Sequence, residues 1–194
     1  MRRVLVVVVV RKGGGMSGVY RGIDSSPEIV VRWARERWEI DGAYALRREV
    51  FCREQGLFEH DDLDAVDAHA QLLVAVCDAR VVGTVRIHRR DAADCGTTWF
   101  GSRLAVSEAF RRHGRIGATL IRLAVSSAHA LGCETFLAHV QAQNAPLFQR
   151  LHWRTLDVTM LFGLEHHRMQ ADLAHYPPCA TPYLGFVVDQ RRAA

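Results

Sequence analysis

The sequence lacks the features that membrane insertion, disulfide frameworks and zinc ribbons require. Its longest uninterrupted aliphatic run, residues 4–10, has seven members, whereas a membrane-spanning helix needs about 20 apolar residues. Three glycines at residues 13–15 follow that run instead of a cleavage site, so we predict neither a signal peptide nor a membrane partner. The five cysteines are an odd number without a CxxC pair, which predicts reduced thiols and a cytoplasmic location.

Lysine is almost absent, because Lys12 is the single lysine among 25 basic residues, and we interpret this as a compositional habit of the source. The 25 basic and 21 acidic residues give a net charge of +4. Residues 1–28 carry five basic and two acidic side chains, so the rest of the chain is nearly neutral. This balance argues against nucleic acid as a partner of the globular part. Docking of the basic residues 1–12 to nucleic acid or anionic lipid is a separate hypothesis.

The length of 194 residues suits one domain. We predict a single domain over residues 29–194, preceded by a tail over residues 1–28 that is either disordered or not part of the native start. Met16 is an alternative start, because the recognisable domain begins only after Pro27.

From Ile29 onward, the spacing of apolar residues alternates between strand and helix periods. It predicts strands over residues 30–40, 71–77, 81–88, 97–106, 134–140, 154–161 and 166–173. It predicts helices over residues 42–55, 116–131 and 144–151. A run of antiparallel strands followed by β-α-β crossovers indicates one α/β sheet with helices on both faces.

An arginine- and glycine-rich junction connects a predicted strand to the helix that begins at residue 116. It consists of Arg111, Arg112, His113, Gly114, Arg115, Ile116, Gly117 and Ala118. Backbone N–H groups at a helix N-terminus, with arginine charge beside them, suit a pyrophosphate. A plain connecting loop with solvated arginines is the alternative. The junction is not a Walker loop, because no Gly-Lys-Ser/Thr follows, and the antiparallel strands before it argue against a Rossmann fingerprint.

The junction resembles motif A of the GNAT acyltransferase superfamily, Gln/Arg-x-x-Gly-x-Gly/Ala. Arg112, Ile116 and Gly117 agree with this motif, whereas Arg115 stands in its first glycine position and Gly114 one place early. Further blocks resemble the ElaA-like branch, namely residues 46–55, Asp67-Ala68-His69, Val82-Gly83-Thr84-Val85-Arg86 and residues 141–153. Several blocks are also similar to bacterial nitrogen-starvation N-acetyltransferases, and the resemblance covers residues 30–178.

The resemblance implies a mixed, mostly antiparallel GNAT-like sheet in which two central parallel strands splay apart. It implies acetyl-CoA as co-substrate, no metal, and direct attack by the amine of a small molecule in a ternary complex. The pantetheine arm would lie along the backbone of Leu104, Ala105 and Val106, where one N–H would stabilise the oxyanion. The other predicted cofactor-binding residues are those of the junction, with Asn144 and Phe148. A homodimer stays open.

Phe148 occupies the position at which many GNAT proteins carry a tyrosine acid, and phenylalanine has no proton to donate. We therefore predict two catalytic candidates. One is His139, because histidine is the residue type suited to proton transfer near neutral pH, and the other is Glu54, which would steer a water that acts as base. The alternative interpretations are a hydrogen-bonded core histidine and an exposed helix carboxylate. The missing tyrosine also leaves an alternative function open, a catalytically weakened acyl-CoA-binding sensor.

We predict that an acidic segment over residues 59–67 has no basic partner. Its acidic members are Glu59, Asp61, Asp62, Asp64 and Asp67. We predict that this loop attracts a cationic amine, with an ordinary solvated loop as the alternative. The loop lacks the glycine and the terminal glutamate of an EF-hand, so a calcium site is not predicted. His166 and His167 have no partner at metal-ligand spacing, and we interpret them as strand histidines.

Overall fold

The computed structural model describes residues 28–90, 96–113 and 115–188. The strands are β1 (Ile29–Trp33), β2 (Gln71–Cys77), β3 (Arg80–Arg89), β4 (Thr98–Val106), β5 (Thr135–Gln141), β6 (Trp153–Leu161), β7 (Leu164–Ala171) and β8 (Phe186–Val187). The α-helices are α1 (Arg37–Arg47), α2 (Arg115–Ala130) and α3 (Ala145–Arg150). A π-helix, Arg48–Glu54, continues α1, and four short 3₁₀ helices span Ala65–Ala68, Glu108–His113, Ala142–Asn144 and Leu173–His175.

The described strands form one sheet in the order β6-β7-β5-β4-β3-β2-β1-β8. All neighbouring pairs are antiparallel except β4 and β5, which run parallel at the centre. The predicted mixed, mostly antiparallel α/β sheet is therefore confirmed.

The main core lies between the sheet and α2. Leu120, Leu123 and Ala124 of α2 are buried against the strands. The opposite face of the sheet, which we call the α1 face, is covered by α1 and the π-helix over strands β2, β3 and β4. There Val50 and Phe51 pack on Ala105. Helices thus pack on both faces, as the alternation of strands and helices predicts.

The first predicted strand is too long, because residues 37–40 belong to α1. The helix begins where the Glu39 carboxylate turns back and accepts hydrogen bonds from the backbone N–H groups of Arg35 (2.8 Å) and Glu36 (3.0 Å). Arg32 of β1 also donates to Glu39 at 2.6 Å, so this buried carboxylate joins the end of the strand to the start of the helix. A capping arrangement of this kind satisfies N–H groups that have no partner within the helix.

Gly83 allows the N-terminal half of α2 to approach the sheet closely. A Cβ at Gly83 would lie 2.9 Å from Cγ2 of Ile116 and 3.0 Å from Cδ1 of Leu120. Both neighbours belong to the buried core, so neither moves freely. The missing side chain at this strand position therefore sets how deeply the first turns of α2 are seated.

Gly83→Val is expected to lower the free energy of unfolding by about 1–3 kcal/mol, because the added methyl groups overpack the helix–sheet contact. Gly132→Asn is the control, since Gly132 has φ +83° and nothing within 4 Å of an added Cβ. Asparagine tolerates that conformation, so the control should cost less than about 1 kcal/mol. Urea denaturation measures both, and equal losses would contradict the close approach at Gly83.

Candidate active site

The two central parallel strands pair over only part of their length. Thr98, Trp99 and Phe100 of β4 pair with Thr135, Phe136 and Leu137 of β5. Beyond these residues, β4 continues to Val106 and β5 to Gln141 without further pairing. The strands thus separate toward their carboxyl ends and leave a gap in the middle of the sheet, which we call the splay.

A bulge bends β4 along the margin of the splay. Thr84 pairs with Ala105 and Arg86 pairs with Ser102, so Val85 faces two residues of β4 instead of one. One of the two, Arg103, has φ +53°, which is uncommon for a residue with a side chain. A bulge of this kind bends the strand and increases its twist, which directs β4 away from β5.

The backbone of Val106 is directed into the splay. The Ser107 N–H donates to the Val82 carbonyl at 2.9 Å, and the bonded pairs of an antiparallel ladder alternate with unbonded ones. Val106, which lies beside Ser107 and opposite Gly83, therefore turns its N–H and C=O away from β3. The side chains of Leu104, Ala105 and Val106 are all buried, so this segment packs through its side chains, while no described strand pairs with its edge on the β5 side.

The N-terminus of α2 lies in the segment that follows the open end of β4. The backbone N–H groups of Arg115, Ile116, Gly117 and Ala118 form the first turn, where no intrahelical acceptor exists. Ile116 and Gly117 are buried, and Arg115 and Ala118 are half-buried. Gly114 lies outside the described residues, as do the side chains of Arg112 and His113.

Arg111 joins the end of β4 to the end of the π-helix. Its Nε donates to the Val106 carbonyl at 2.6 Å, and its Nη2 lies 3.0 and 2.8 Å from the two carboxylate oxygens of Glu54. The Arg111 side chain is 5% exposed and that of Glu54 28%, so the arginine end of this ion pair is shielded from solvent while the carboxylate reaches it. The arginine predicted to face phosphate thus holds the end of the π-helix against β4, and the predicted base-steering carboxylate is its partner.

The acidic segment is neutralised by arginines distant in the sequence, so the expectation that it lacks basic partners is wrong. Asp62 accepts from Nε of Arg47 (2.8 Å) and from Nε of Arg103 (2.7 Å). Asp67 and Asp64 bind the remaining guanidinium groups, Asp67 with Arg47 and Arg86, and Asp64 with Arg86 and Arg103. We call these three aspartates and three arginines the ion-pair network.

The network is buried on the α1 face beside the bulge. Arg47, Arg86 and Arg103 are at most 1% exposed, and Asp62 is 2% exposed. Hydrogen bonds to Arg47 and the charges of Arg86 and Arg47 outweigh burial and lower the pKa of Asp67 to about 2. Burial and the charge of Arg86 lower the pKa of Arg103 to about 10, so it stays protonated near neutral pH. The network leaves only Glu59 and Asp61 of the segment as solvent-exposed acids.

His139 is half-buried and lies on the part of the α1 face that α1 itself does not cover. Leu137, His139 and Gln141 alternate with core residues along β5, and the pairing register extends their face across β7 and β6. Because α1 packs on β2, β3 and β4, this region lies beside the helical cover. We call it the polar half-face, formed by His139, Gln141, His166, Arg168, Asp157 and Thr159.

Phe148 lies on the opposite side of the sheet, beneath the splay. Its ring is 2% exposed and packs edge-on against Trp153, with 5.0 Å between ring centroids. Both rings line an apolar cavity of about 20 Å³, together with Leu104 and Phe136. This is about the room that one water needs, but its lining is apolar. Asn144 is buried immediately before α3.

Two further contacts cross the α1 side of the splay, and neither follows from local sequence pattern. The Gln141 side-chain amide lies 3.5 Å from Oε1 of Gln55, which directly follows the π-helix. Phe58, in the loop after the π-helix, meets Phe162 at the tip of the β6–β7 hairpin, with 5.4 Å between ring centroids. These contacts bring the two margins of the splay together above the sheet.

A larger depression of about 580 Å³ lies away from the splay, near the start of β5. It is lined by Glu134, His152, Arg154, Gln170 and Asp172, among others. It contains none of the residues that the sequence predicts for the site. Within the described ranges, no three histidine, cysteine or acidic side chains are grouped so as to hold a metal ion.

Comparison with known proteins identifies the family. The model of the Acetyltransferase (GNAT) family matches residues 29–153, and the chain therefore belongs to this family. A protein of Bacillus subtilis (strain 168) that is named as an acetyltransferase is 26% identical over 132 residues, which are 66% of this chain and 86% of that protein. The predicted membership of the GNAT superfamily is thus confirmed.

Solved structures share the fold. Escherichia coli ElaA is 20% identical with a TM-score of 0.64, over 76% of this chain and 100% of ElaA. An acetyltransferase named yncA from Salmonella typhimurium, solved with acetyl-CoA, is 18% identical with a TM-score of 0.57, over 75% of this chain and 94% of that one. ElaA is thus a structural neighbour by fold, and membership of its branch or of the nitrogen-starvation group stays a prediction. No α-helix within residues 28–90, 96–113 and 115–188 has the length and apolar character needed to cross a bilayer.

Asp62→Asn is expected to lower the free energy of unfolding by about 3–5 kcal/mol, because it leaves two buried guanidinium groups without their shared carboxylate. The neighbouring Asp61→Asn is a matched control, since Asp61 is exposed and such substitutions usually change stability by less than about 0.5 kcal/mol. Urea denaturation of both variants measures the difference. Equal small losses would mean that the network does not fasten this segment.

Proposed function

We propose that this protein is an acyl-CoA-dependent N-acyltransferase that transfers acetyl from acetyl-CoA to the amine of a small molecule. One observation carries the proposal: β4 and β5 separate at the centre of the sheet, and the N-terminus of α2 follows the open end of β4. A strand edge without a partner accepts an extended amide chain, and a helix N-terminus favours phosphate. In CoA, the pantetheine arm is the extended amide chain and the pyrophosphate that follows it is the phosphate group.

The cofactor would lie in the splay, along Leu104, Ala105 and Val106. We propose that the pyrophosphate contacts backbone N–H groups between Gly114 and Ala118 and the side chains of Arg112, His113 and Arg115. Asn144 and Phe148 would border the arm from the side of α3. Arg111 would hold in place the strand along which the cofactor lies, because its guanidinium is bound to Val106 and Glu54. The neighbour from Salmonella typhimurium, which was solved with acetyl-CoA, supports the choice of donor.

In the proposed reaction a neutral amine attacks the thioester carbonyl, and a backbone N–H of β4 stabilises the oxyanion. The carbon–sulfur bond then breaks and CoA leaves as a thiolate. A thiol has a pKa of about 8.5, so the thiolate is a tolerable leaving group without a tyrosine acid. The greater demand is deprotonation of the amine, and the rate should therefore rise with pH. His139 stays a candidate for this role, whereas the ion pair with Arg111 favours an anchoring role for Glu54.

In this proposal the acceptor amine binds between the polar half-face and the loop that follows the π-helix. The network neutralises Asp62, Asp64 and Asp67, so these carboxylates do not support selection of cationic amines. We propose a polar small-molecule amine, recognised through hydrogen bonds to side chains of the half-face. We also propose that the protein is a nitrogen-starvation N-acetyltransferase, that it is cytoplasmic and that it forms a homodimer. The basic tail over residues 1–12 has no part in it.

A catalytically weakened acyl-CoA sensor is the second candidate, and Phe148 at the tyrosine position favours it. A thiol-release assay with acetyl-CoA and a panel of amines, run beside calorimetric titration with CoA, separates the two functions. Binding with amine-dependent thiol release supports the transferase. Binding without release from any amine supports the sensor, and absence of both contradicts the assignment of the splay.

Gly117→Asp is expected to weaken CoA binding at least about 10-fold, because a carboxylate beside the pyrophosphate opposes its charge. Gly117→Ala is the matched control, since it adds one methyl group and no charge. Calorimetric titration gives both dissociation constants, and circular dichroism confirms that the variants fold. Unchanged affinity in a folded Gly117→Asp protein would place the pyrophosphate elsewhere.

Phe148→Leu is expected to reduce kcat by less than about 10-fold while it loosens the cofactor, because the ring packs but donates no proton. Phe148→Tyr is the companion variant and should raise kcat slightly where its hydroxyl reaches the sulfur. Steady-state kinetics of both variants, with CoA titration, test this account. Normal CoA affinity with a loss of several orders of magnitude in kcat for Phe148→Leu would overturn it.

A further inference from the structure

His166 is a buried histidine of the polar half-face for which the account above has no use. It lies on β7 opposite Gln141 of β5 and Thr159 of β6. Its side chain is 0% exposed, although histidine is usually only partly buried. A polar ring fully enclosed at the margin of a ligand site calls for a physical explanation.

The hydrogen bonds of His166 fix its tautomer. Its Nδ1 lies 2.9 Å from the backbone carbonyl of Leu164, and a carbonyl oxygen only accepts hydrogen bonds. Nδ1 therefore carries the proton, and Nε2 carries the lone pair. Nε2 is buried and has no hydrogen-bond partner among the described residues. The protein thus holds a basic nitrogen in a fixed direction and leaves its lone pair unsatisfied.

His166 lies one strand away from the splay. Its register partner is Gln141, the last residue of β5, which lies beyond the three β5 residues that pair with β4. The strand order β7-β5-β4 therefore places β5 alone between His166 and the splay, at the end where β4 and β5 have separated. The Gln141–Gln55 contact beside it, at 3.5 Å, is longer than an ordinary hydrogen bond and is readily exchanged for one to a ligand.

We propose that Nε2 of His166 accepts the proton of the acceptor amine, directly or through one water, as the amine attacks the thioester. This inference rests on the proposed N-acyltransferase function and names the base that this function needs. The lone pair of the neutral amine forms the new carbon–nitrogen bond, and an N–H bond of the resulting positively charged nitrogen breaks as its proton goes to Nε2. The tetrahedral intermediate then expels the CoA thiolate, and the imidazolium returns the proton to the sulfur. The products are an amide and CoA thiol, with His166 neutral again.

The surroundings keep His166 neutral between turnovers. Burial lowers the pKa of its imidazole below the ordinary 6.5. At neighbouring register positions on the same face, the titratable or charged groups are His139 on β5, Asp157 on β6 and Arg168 on β7, and Glu165 and His167 adjoin it in the chain on the opposite face. Asp157 is bound to Arg168, and the 3₁₀ segment over residues 142–144 that packs on β7 carries no charge. Because the pKa of His166 is lowered in the folded protein, its imidazole is neutral and can accept a proton above this pKa. As the pH falls through this pKa, the imidazole becomes protonated and can no longer act as a base.

The test compares four variants with the unmodified protein, using acetyl-CoA and a panel made of an amino acid, a polyamine and an arylalkylamine. His166→Gln keeps a polar group near Nε2 but removes the base, and His166→Asn keeps the donor to Leu164. His167→Gln is the matched control, because His167 is the adjacent residue on the opposite face of β7. His139→Gln tests the other histidine of the half-face. Thiol release gives kcat and kcat/KM from pH 5 to 9, and CoA titration gives the dissociation constant.

Both His166 variants should lose about 10²-fold or more in kcat, the usual contribution of a general base. They should also lose the acid limb of the kcat/KM profile, while CoA affinity stays within about twofold. His167→Gln should keep the rate and the limb. If the unmodified enzyme is active and His166→Gln keeps both its rate and its acid limb, this inference alone is overturned. The same holds if His139→Gln is the one variant that loses the acid limb. No turnover of any amine by the unmodified protein overturns the proposed function and this inference together.

A measurement that needs no acceptor gives a second test, and it applies even if both variants fail to fold. Nitrogen-15 NMR of the unmodified protein reports the tautomer and the protonation state of each imidazole. A neutral His166 with its proton on Nδ1 at pH 7 supports the proposal. A proton on Nε2, or an imidazolium at pH 7, overturns it.

Discussion

The buried ion-pair network is the constraint on which the candidate site depends. Three arginines from α1, β3 and β4 are removed from water, and each is tolerable there only with carboxylates at hydrogen-bond distance. The loop over residues 59–67 supplies them, so this connection is held against the α1 face. Arg103 belongs to the network and also forms the bulge of β4. The bonds that fasten the loop therefore also hold the strand in the shape that opens the splay.

From this constraint the architecture of the site follows in steps. The bulge bends β4, β5 diverges after three paired residues, and Arg111 joins the open margin to the π-helix. The π-helix is unusual in its length, and such segments are frequent at functional sites. Here it places Glu54 and Gln55 beside the two margins of the gap. A cleft for an extended donor then lies between the strands, and polar side chains of β5 and β7 border it.

Much of the fold was predictable because strand and helix periods are local properties of the chain. The hairpin of β2 and β3, the strand β4 and the helix α2 agree with prediction within one or two residues. Residues 37–40 differ from prediction because Glu39 caps a helix through contacts that the spacing of apolar residues does not reveal.

The ion-pair network does not follow from the sequence, because its partners are 15 to 41 residues apart. Arginines inside the apolar strands at 86 and 103 were the available clue, since a buried guanidinium requires a carboxylate. His166 was dismissed because burial and tautomer exist only in three dimensions.

Hydrogen–deuterium exchange with and without CoA shows whether CoA occupies the splay between β4 and β5. CoA bound there slows exchange in two segments, residues 101–106 of β4 and residues 115–118 at the start of α2. The backbone of both would hydrogen-bond the ligand or lie under it. Slowed exchange confined to the depression near Glu134 and Asp172, with β4 and α2 unchanged at saturating CoA, would contradict the account.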